Sequence, residues 1–314
     1  MKSKIKKEVS LKEYSTFKIG GKAKYFVEIK RLDELKKVLN WALKEDVKYF
    51  VLGGGSNVLF SDEGFDGLVV RIKKDDLELD GKNRIISGAG SKLSDLMNFS
   101  IEKNLSGLEW AAGIPGTVGG AVRGNAGAFG SEMKDSIIRV QALKIDNNDI
   151  KLKEFSKSEC EFGYRESLFK KKNNLIIWEV ELGLEEGSAE ESKQKIKEII
   201  QKRKQKQPSL EEYYSAGSVF KNPEVGKEII DLFQKETGVA SKDNKVPAGW
   251  LIDMCDLKGL EVGGAKISPD QANFIINKGD ARSQDVATLI SLIKQKVRNN
   301  YGIQLREEVQ LVGF

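Results

Sequence analysis

The chain has 314 residues, 52 basic and 47 acidic, a formal charge of +5; that length implies two or three domains, and so slight a charge excess gives no ground for nucleic-acid binding. Its two cysteines, Cys160 and Cys255, have no CxxC spacing, so a disulfide scaffold is excluded and buried free thiols are expected. Histidine is absent, which removes Ser-His-Asp and Cys-His catalysis, His-ligated zinc and a histidyl flavin link; acid–base work falls to Asp, Glu, Lys, Tyr, Cys, Ser or water, and no metal site is expected.

The basic start, MKSKIKKEVSLKEY, carries no apolar core of a signal peptide, and no run reaches the 18 or more apolar residues of a membrane span. A cytoplasmic protein is the expectation. A strand over 25–29 precedes a helix over 31–46, where Leu32, Leu35, Val38, Leu39, Ala42 and Leu43 recur at helical spacing; a strand over 49–52 completes a β-α-β unit. Strands follow at 68–72 and 84–87, then a helix with Ser91 as N-cap and Leu93, Leu96, Met97 and Ile101 on its inner side. Strands over 137–145 and 150–155 are joined by the turn Asp146-Asn147-Asn148-Asp149, and another runs over 175–184. A charged helix over 190–205 carries Ile196, Ile199 and Ile200 on one side and stops at Pro208. Its basic end, 202–206, reads as a solvated face or a patch steering anions to a nearby cleft. Helices over 227–236 and 283–299 and strands over 264–267, 272–276 and 305–312 complete the chain.

Two glycine-dense runs stand out. One is VLGGGSNVL, residues 51–59; the other is GLEWAAGIPGTVGGAVRGNAGAFG, residues 107–130. Glycine frees the backbone for φ > 0 and for close approach, so main-chain N–H groups can close on a phosphate or planar ring. Ser56, Asn57 and Thr117 add side-chain donors. Each bond to a charged oxygen contributes about 1.5–3 kcal/mol, so several together hold a diphosphate. Neither run matches GxGxxG or GxxxxGK[ST]. The plainer reading is that the runs are tight turns packed on each other.

Together the two runs resemble the flavin-binding half of the UDP-N-acetylenolpyruvoylglucosamine reductase family. The resemblance covers nearly the whole chain, through STFKIGG (15–21), FGYRES (162–167), SAGSVFKNP (215–223), GWLID (249–253) and LREEV (305–309). It implies an α+β protein: a two-lobed FAD-binding fold of the vanillyl-alcohol-oxidase/PCMH type plus a separate α+β substrate-binding domain. The expected parts are residues 1–72 and 73–206 as the two FAD lobes, 207–300 as the substrate domain, and 301–314 as a strand returning to the flavin.

In that family a hydride passes from NADPH to FAD and then to the enolpyruvyl ether of a UDP-sugar, giving UDP-N-acetylmuramate. Carried over by motif, the catalytic residues are Arg165, Ser218 and Glu308. Hydride addition beside a carboxylate builds an enediolate; the permanently charged fork of Arg165 suits it, and Glu308 would share a proton or hydrogen bond with it. Ser218 is the implied proton donor to the α-carbon, since a serine nucleophile would need a base. Outside these motifs, an arginine after tyrosine is usually a surface ion pair and a serine after glycine usually a turn residue.

The same resemblance implies non-covalent FAD with its diphosphate on Gly53, Gly54, Gly55, Ser56 and Asn57. Its ring would lie near Gly113, Ile114, Pro115, Gly116, Thr117, Gly119, Gly120, Asn125, Ala126 and Gly127. Tyr164, Lys221, Asn222 and Gln271 are the implied substrate contacts, with Gln271 standing where one branch carries histidine. The 160–185 region lacks the extra tyrosine-bearing insertion found in one branch of the family and so resembles the shorter, second type. NADPH and UDP-N-acetylglucosamine enolpyruvate would alternate in one site of a monomer. Two rivals stay open: another FAD-dependent oxidoreductase of the same fold, and a non-catalytic nucleotide-sugar binding protein.

Overall fold

Leu35, Val38, Leu39 and Ala42 recur at three- and four-residue steps, and the helix Leu32–Lys44 buries those four while Lys37 and Asn40 face solvent. The computed structural model describes residues 4–146, 149–209 and 212–314. Of the turn expected at 146–149, Asn147 and Asn148 lie outside the described residues, while Asp146 and Asp149 pair across its ends.

The chain divides into two units. The first comprises Met1–Val9, Ala23–Gly54 and Asp66–Gln205; the second comprises Ser10–Lys22, Gly55–Phe65 and Lys206–Phe314.

In the first unit a four-stranded sheet runs in the order Lys6–Ser10, Lys22–Ile29, Phe65–Ile72, Tyr49–Leu52. Tyr49–Leu52 pairs in parallel with Phe65–Ile72, so the expected β-α-β unit forms with a third strand inserted between its two. A five-stranded antiparallel sheet follows in the order Asp149–Ser156, Ile137–Asp146, Leu175–Gly183, Arg84–Gly88, Leu77–Asp80. Its middle strand, LIIWEVELG, is buried along nearly its whole length, whereas the edge strand DIKLKEFS exposes Lys151, Lys153 and Glu154 to solvent, which blunts edge-to-edge pairing. One core cluster, with Leu96, Trp110, Val122, Val140 and Val180, lies beneath these elements.

The helix Leu93–Glu102 starts one residue later than the Ser91 cap predicts. Lys92 is its N-cap, without a side-chain cap bond, because the Ser91 hydroxyl donates to the Asp76 carbonyl and the Leu93 N–H is taken by the Gly116 carbonyl. The helix Ala189–Lys206 turns Ile196 and Ile199 to the core, but Ile200 is 38% exposed.

The second unit packs helices Lys227–Thr237, Ala248–Asp253 and Ser283–Tyr301 and a three-stranded antiparallel sheet around Phe220, Leu251, Leu289 and Ile293. The short helix Ala248–Asp253 has too few residues to show a period, and sequence reading passed over it. Ser283–Tyr301 ends where Gly302 takes the left-handed conformation at φ 69°. At the chain end only Gln310–Val312 forms a strand, parallel to Val58–Phe60; the rest of the strand expected over 305–312 is irregular. The strand expected over 272–276 is shifted to Ile275–Asn277. Cys160 is fully buried and its thiol is pushed up to about 12 by burial, while Cys255 is half-buried.

Candidate functional site

The two glycine runs cross in van der Waals contact. A Cβ on Gly53 would stand 2.6 Å from Thr117 Oγ1, and one on Gly54 would stand 2.7 Å from the Gly116 Cα. Mutual packing therefore explains these two glycines, together with Gly119, whose Cβ would meet Ala89 at 2.9 Å. It does not explain Gly120, whose Cβ would have only the Thr117 hydroxyl, at 3.5 Å, within reach. Thr117 caps the helix Val118–Gly124, its hydroxyl accepting from the Gly120 N–H. The Val118 and Gly119 N–H groups are taken by the Ser91 and Ala89 carbonyls. The helix start is thus committed to the protein itself, whereas the N–H groups of Gly54, Gly55, Gly116 and Thr117 donate to no acceptor among the described residues. Ile114 donates to Ala111, and Pro115 has no N–H to give.

Asn125 ends that helix in the left-handed region, φ 43°. Its side chain is wholly buried and fully used: Nδ2 donates to Glu132 Oε2 and to the Gly163 carbonyl, each at 2.9 Å, and Oδ1 accepts from the Lys134 N–H. Asn125 therefore shapes the wall and leaves only its backbone to face outward. Ala126 and Gly127 continue the chain into a two-stranded ribbon, Gly127–Ala128 against Ser131–Glu132.

Arg165 sits at the tip of a tight turn, closed by reciprocal bonds between Gly163 and Glu166, with φ 55°. Its Nη2 donates to the Gly127 carbonyl at 2.7 Å, Nη1 reaches the Asn125 carbonyl at 3.5 Å, and the guanidinium lies 5.3 Å from the Tyr164 ring centre. The first unit thus joins Tyr164, Arg165, Asn125 and Gly127 in one cluster. Two carbonyls orient the cation.

In the second unit Ser218 and Glu308 lie on adjacent segments. Ser218 bridges Phe274, and the Glu308 N–H donates to the carbonyl of Val219, the next residue, at 2.7 Å. Asn57 joins them: its Nδ2 donates to the Glu308 carbonyl at 3.1 Å and its own carbonyl accepts from Gln310. The Lys221 N–H is fixed on the Arg306 carbonyl. Asn222 Oδ1 accepts from the Ala248 N–H, which anchors the helix Ala248–Asp253. Gln271 Oε1 accepts from the Asn273 N–H and packs where a Cβ on Gly249 would stand, 2.1 Å away. In the described structure Gln271 therefore serves the turn and the close approach of Gly249.

Two residues escaped the sequence. Asn273 is buried and clamps Phe220 by both backbone groups, Oδ1 accepting its N–H and Nδ2 donating to its carbonyl, so it holds the segment after Ser218. Arg203 is the other. It follows Ser192, Ile196 and Ile199 at helical spacing on the inner stripe of its helix, a period that would have separated it from the solvated lysines around it.

Comparisons with known proteins agree along the chain. Residues 23–150 match the FAD binding domain family, and residues 207–312 match the C-terminal domain of UDP-N-acetylenolpyruvoylglucosamine reductase. The UDP-N-acetylenolpyruvoylglucosamine reductase of Caldanaerobacter subterraneus is 38% identical over 305 residues, covering 96% of this chain and 92% of that protein. That of Protochlamydia amoebophila is 40% identical over 304 residues, covering 97% and 92%. The crystal structure of the Thermus caldophilus enzyme superposes with a TM-score of 0.76 at 34% identity over 98% of both chains. These matches bear out the expected α+β architecture, an FAD-binding fold followed by a separate C-terminal domain. The chain belongs to the UDP-N-acetylenolpyruvoylglucosamine reductase family.

Proposed function

We propose that this chain is the NADPH-dependent reductase that converts UDP-N-acetylglucosamine enolpyruvate to UDP-N-acetylmuramate for peptidoglycan precursor synthesis, with FAD as its non-covalent cofactor. The observation that carries this reading is the near full-length likeness to curated reductases at 38 and 40% identity. No helix among the described residues is long and apolar enough to cross a membrane, and we take the enzyme to work as a cytoplasmic monomer. The four-part division, 1–72, 73–206, 207–300 and 301–314, is our reading of how the chain shares out cofactor and substrate.

The residues present fit FAD. The donor-rich wall made by Gly54, Gly116 and Thr117 in one unit, and the Gly55 N–H in the other, offer hydrogen bonds that no acceptor among the described residues takes. Ser56 and Asn57 extend the same segment. When bound, FAD supplies the relay that takes a hydride from NADPH and delivers it to the enolpyruvyl carbon. Arg165, held on the Gly127 and Asn125 carbonyls, keeps a fixed fork for the charge that grows on the substrate carboxylate. Glu308 shares that oxygen's proton, and Ser218 donates a proton to the α-carbon. Tyr164, Lys221, Asn222 and Gln271 complete our assignment of substrate contacts, and Asn222 and Gln271 also brace the Ala248 and Asn273 backbones.

A flavin cycle tests this reading. Purified protein should be yellow, NADPH should bleach it, and UDP-N-acetylglucosamine enolpyruvate should restore the colour without oxygen. A colourless protein that takes up no flavin would end the proposal; colour restored by oxygen alone would favour another flavin oxidoreductase.

A further inference from the structure

The ribbon that orients Arg165 is closed by an unusual turn. Gly127–Ala128 and Ser131–Glu132 pair through Ala128 opposite Ser131, leaving a two-residue loop, Phe129 at φ 53° and Gly130 at φ 90°. Positive φ at both loop positions is the type I′ geometry, whose first position favours asparagine, aspartate or glycine. A phenylalanine there is strained by its Cβ, and its ring remains 52% exposed, so burial does not offset the strain.

What the ring touches is Arg203. The guanidinium lies 5.2 Å from its centre. On the other side the Arg203 side chain fills the place beside Gly113, where a Cβ would stand 3.0 Å from its Cδ. Its Nη2 reaches the Trp110 carbonyl at 3.5 Å, while Nε is buried and meets no acceptor among the described residues. Arg203 makes no ion pair among the described residues, and burial lowers its pKa. A half-buried cation that meets no carboxylate among the described residues has donors to offer an anion from elsewhere. Stacking explains how the chain holds it meanwhile: an aromatic ring takes the face of a guanidinium and leaves the in-plane N–H groups free, whereas a carboxylate would consume them.

We propose that Phe129 is a positioning residue: it holds the guanidinium of Arg203 beside the glycine run with its donors directed to the phosphates of the flavin dinucleotide. The inference rests on the flavoprotein reading above. The same ribbon then fixes two cations, Arg165 through the Gly127 carbonyl and Arg203 through the Phe129 ring.

Titration of the flavin-free protein with FAD and with riboflavin, which lacks the phosphates, tests this by flavin fluorescence, with melting curves alongside. Phe129→Leu should weaken FAD binding about tenfold and leave riboflavin binding unchanged, and Phe129→Trp should restore FAD. Phe129→Asn should weaken FAD equally while raising the melting temperature, because it relieves the turn; a purely structural ring would lower both. In an Arg203→Ala background Phe129→Leu should cause no further loss. The assignment is overturned if Phe129→Leu binds FAD as the wild type does, if it loses FAD and riboflavin alike, or if its effect persists undiminished without Arg203. A wild-type protein that binds no FAD overturns the flavoprotein reading, and this assignment with it.

Discussion

Glu308 donates its N–H to the carbonyl of Val219 at 2.7 Å, and Val309 donates to the same oxygen at 3.3 Å. Two successive N–H groups thus meet one carbonyl at the point where the family motif places its carboxylate. The residue before Val219 is Ser218. Backbone geometry of the second unit therefore sets the proposed acid and the proposed proton donor relative to each other, with Asn57 and Asn273 bracing the arrangement from either side.

Ser218→Ala should leave bleaching by NADPH almost intact and slow reoxidation by the enolpyruvyl substrate about 10²–10⁴-fold, since only the second half needs the proton. Stopped-flow absorbance separates the halves. Equal damage to both would refute the role.

Arg165→Lys should slow reoxidation about 10²-fold or more, because a point charge cannot span the Gly127 and Asn125 carbonyls and still present a fork. Near-normal turnover in this variant would remove Arg165 from the mechanism.

Gly54 and Gly124 should respond oppositely to alanine. Gly54→Ala drives a Cβ to 2.7 Å from the Gly116 backbone and should destabilise by about 1–3 kcal/mol. Gly124→Ala enters open space at the end of a helix and should stabilise by about 0.5–1 kcal/mol. Urea unfolding measures both, and equal effects would contradict the packing described.

Asn125→Ala removes three hydrogen bonds from a wholly buried side chain and should cost about 3 kcal/mol or more. Asn125→Asp should not rescue it, because a carboxylate facing Glu132 can donate to neither partner. A wild-type melting curve for either variant would show that the side chain does not root the wall.

Glu109 should contribute to the acid limb of stability. Burial pushes its carboxyl up, but the Ser192 hydroxyl, its own and the Gly107 N–H groups, and Lys195 outweigh that and hold it below its ordinary 4.5. A carboxyl depressed in the folded state stabilises fully above the unfolded pKa and loses that contribution as pH falls through the folded one. Glu109→Gln should therefore flatten part of the stability loss below about pH 4.5. Unchanged slopes in acid melts would argue against it.

Much of this protein was legible in its residues. The apolar spacing in 32–43 and 283–297 and the run LIIWEVELG depend on local period alone, and the helices and buried strand appear where that period places them. The glycine runs marked where the backbone allows close approach, and the absence of histidine narrowed the chemistry, because both follow from what a side chain is.

Tertiary structure decided the rest, because it depends on partners far away in sequence. Ser91 is not a cap, since Asp76 competes for its hydroxyl; Gly53 and Gly54 are bare because Gly116 and Thr117 lie against them; Asn125 is spent on Glu132 and Gly163. Arg203 looked like one charge in a solvated run until Gly113 and Phe129 gave it neighbours. The order of residues states which groups are available, and long-range packing determines which of them the protein uses itself and which it leaves for a ligand.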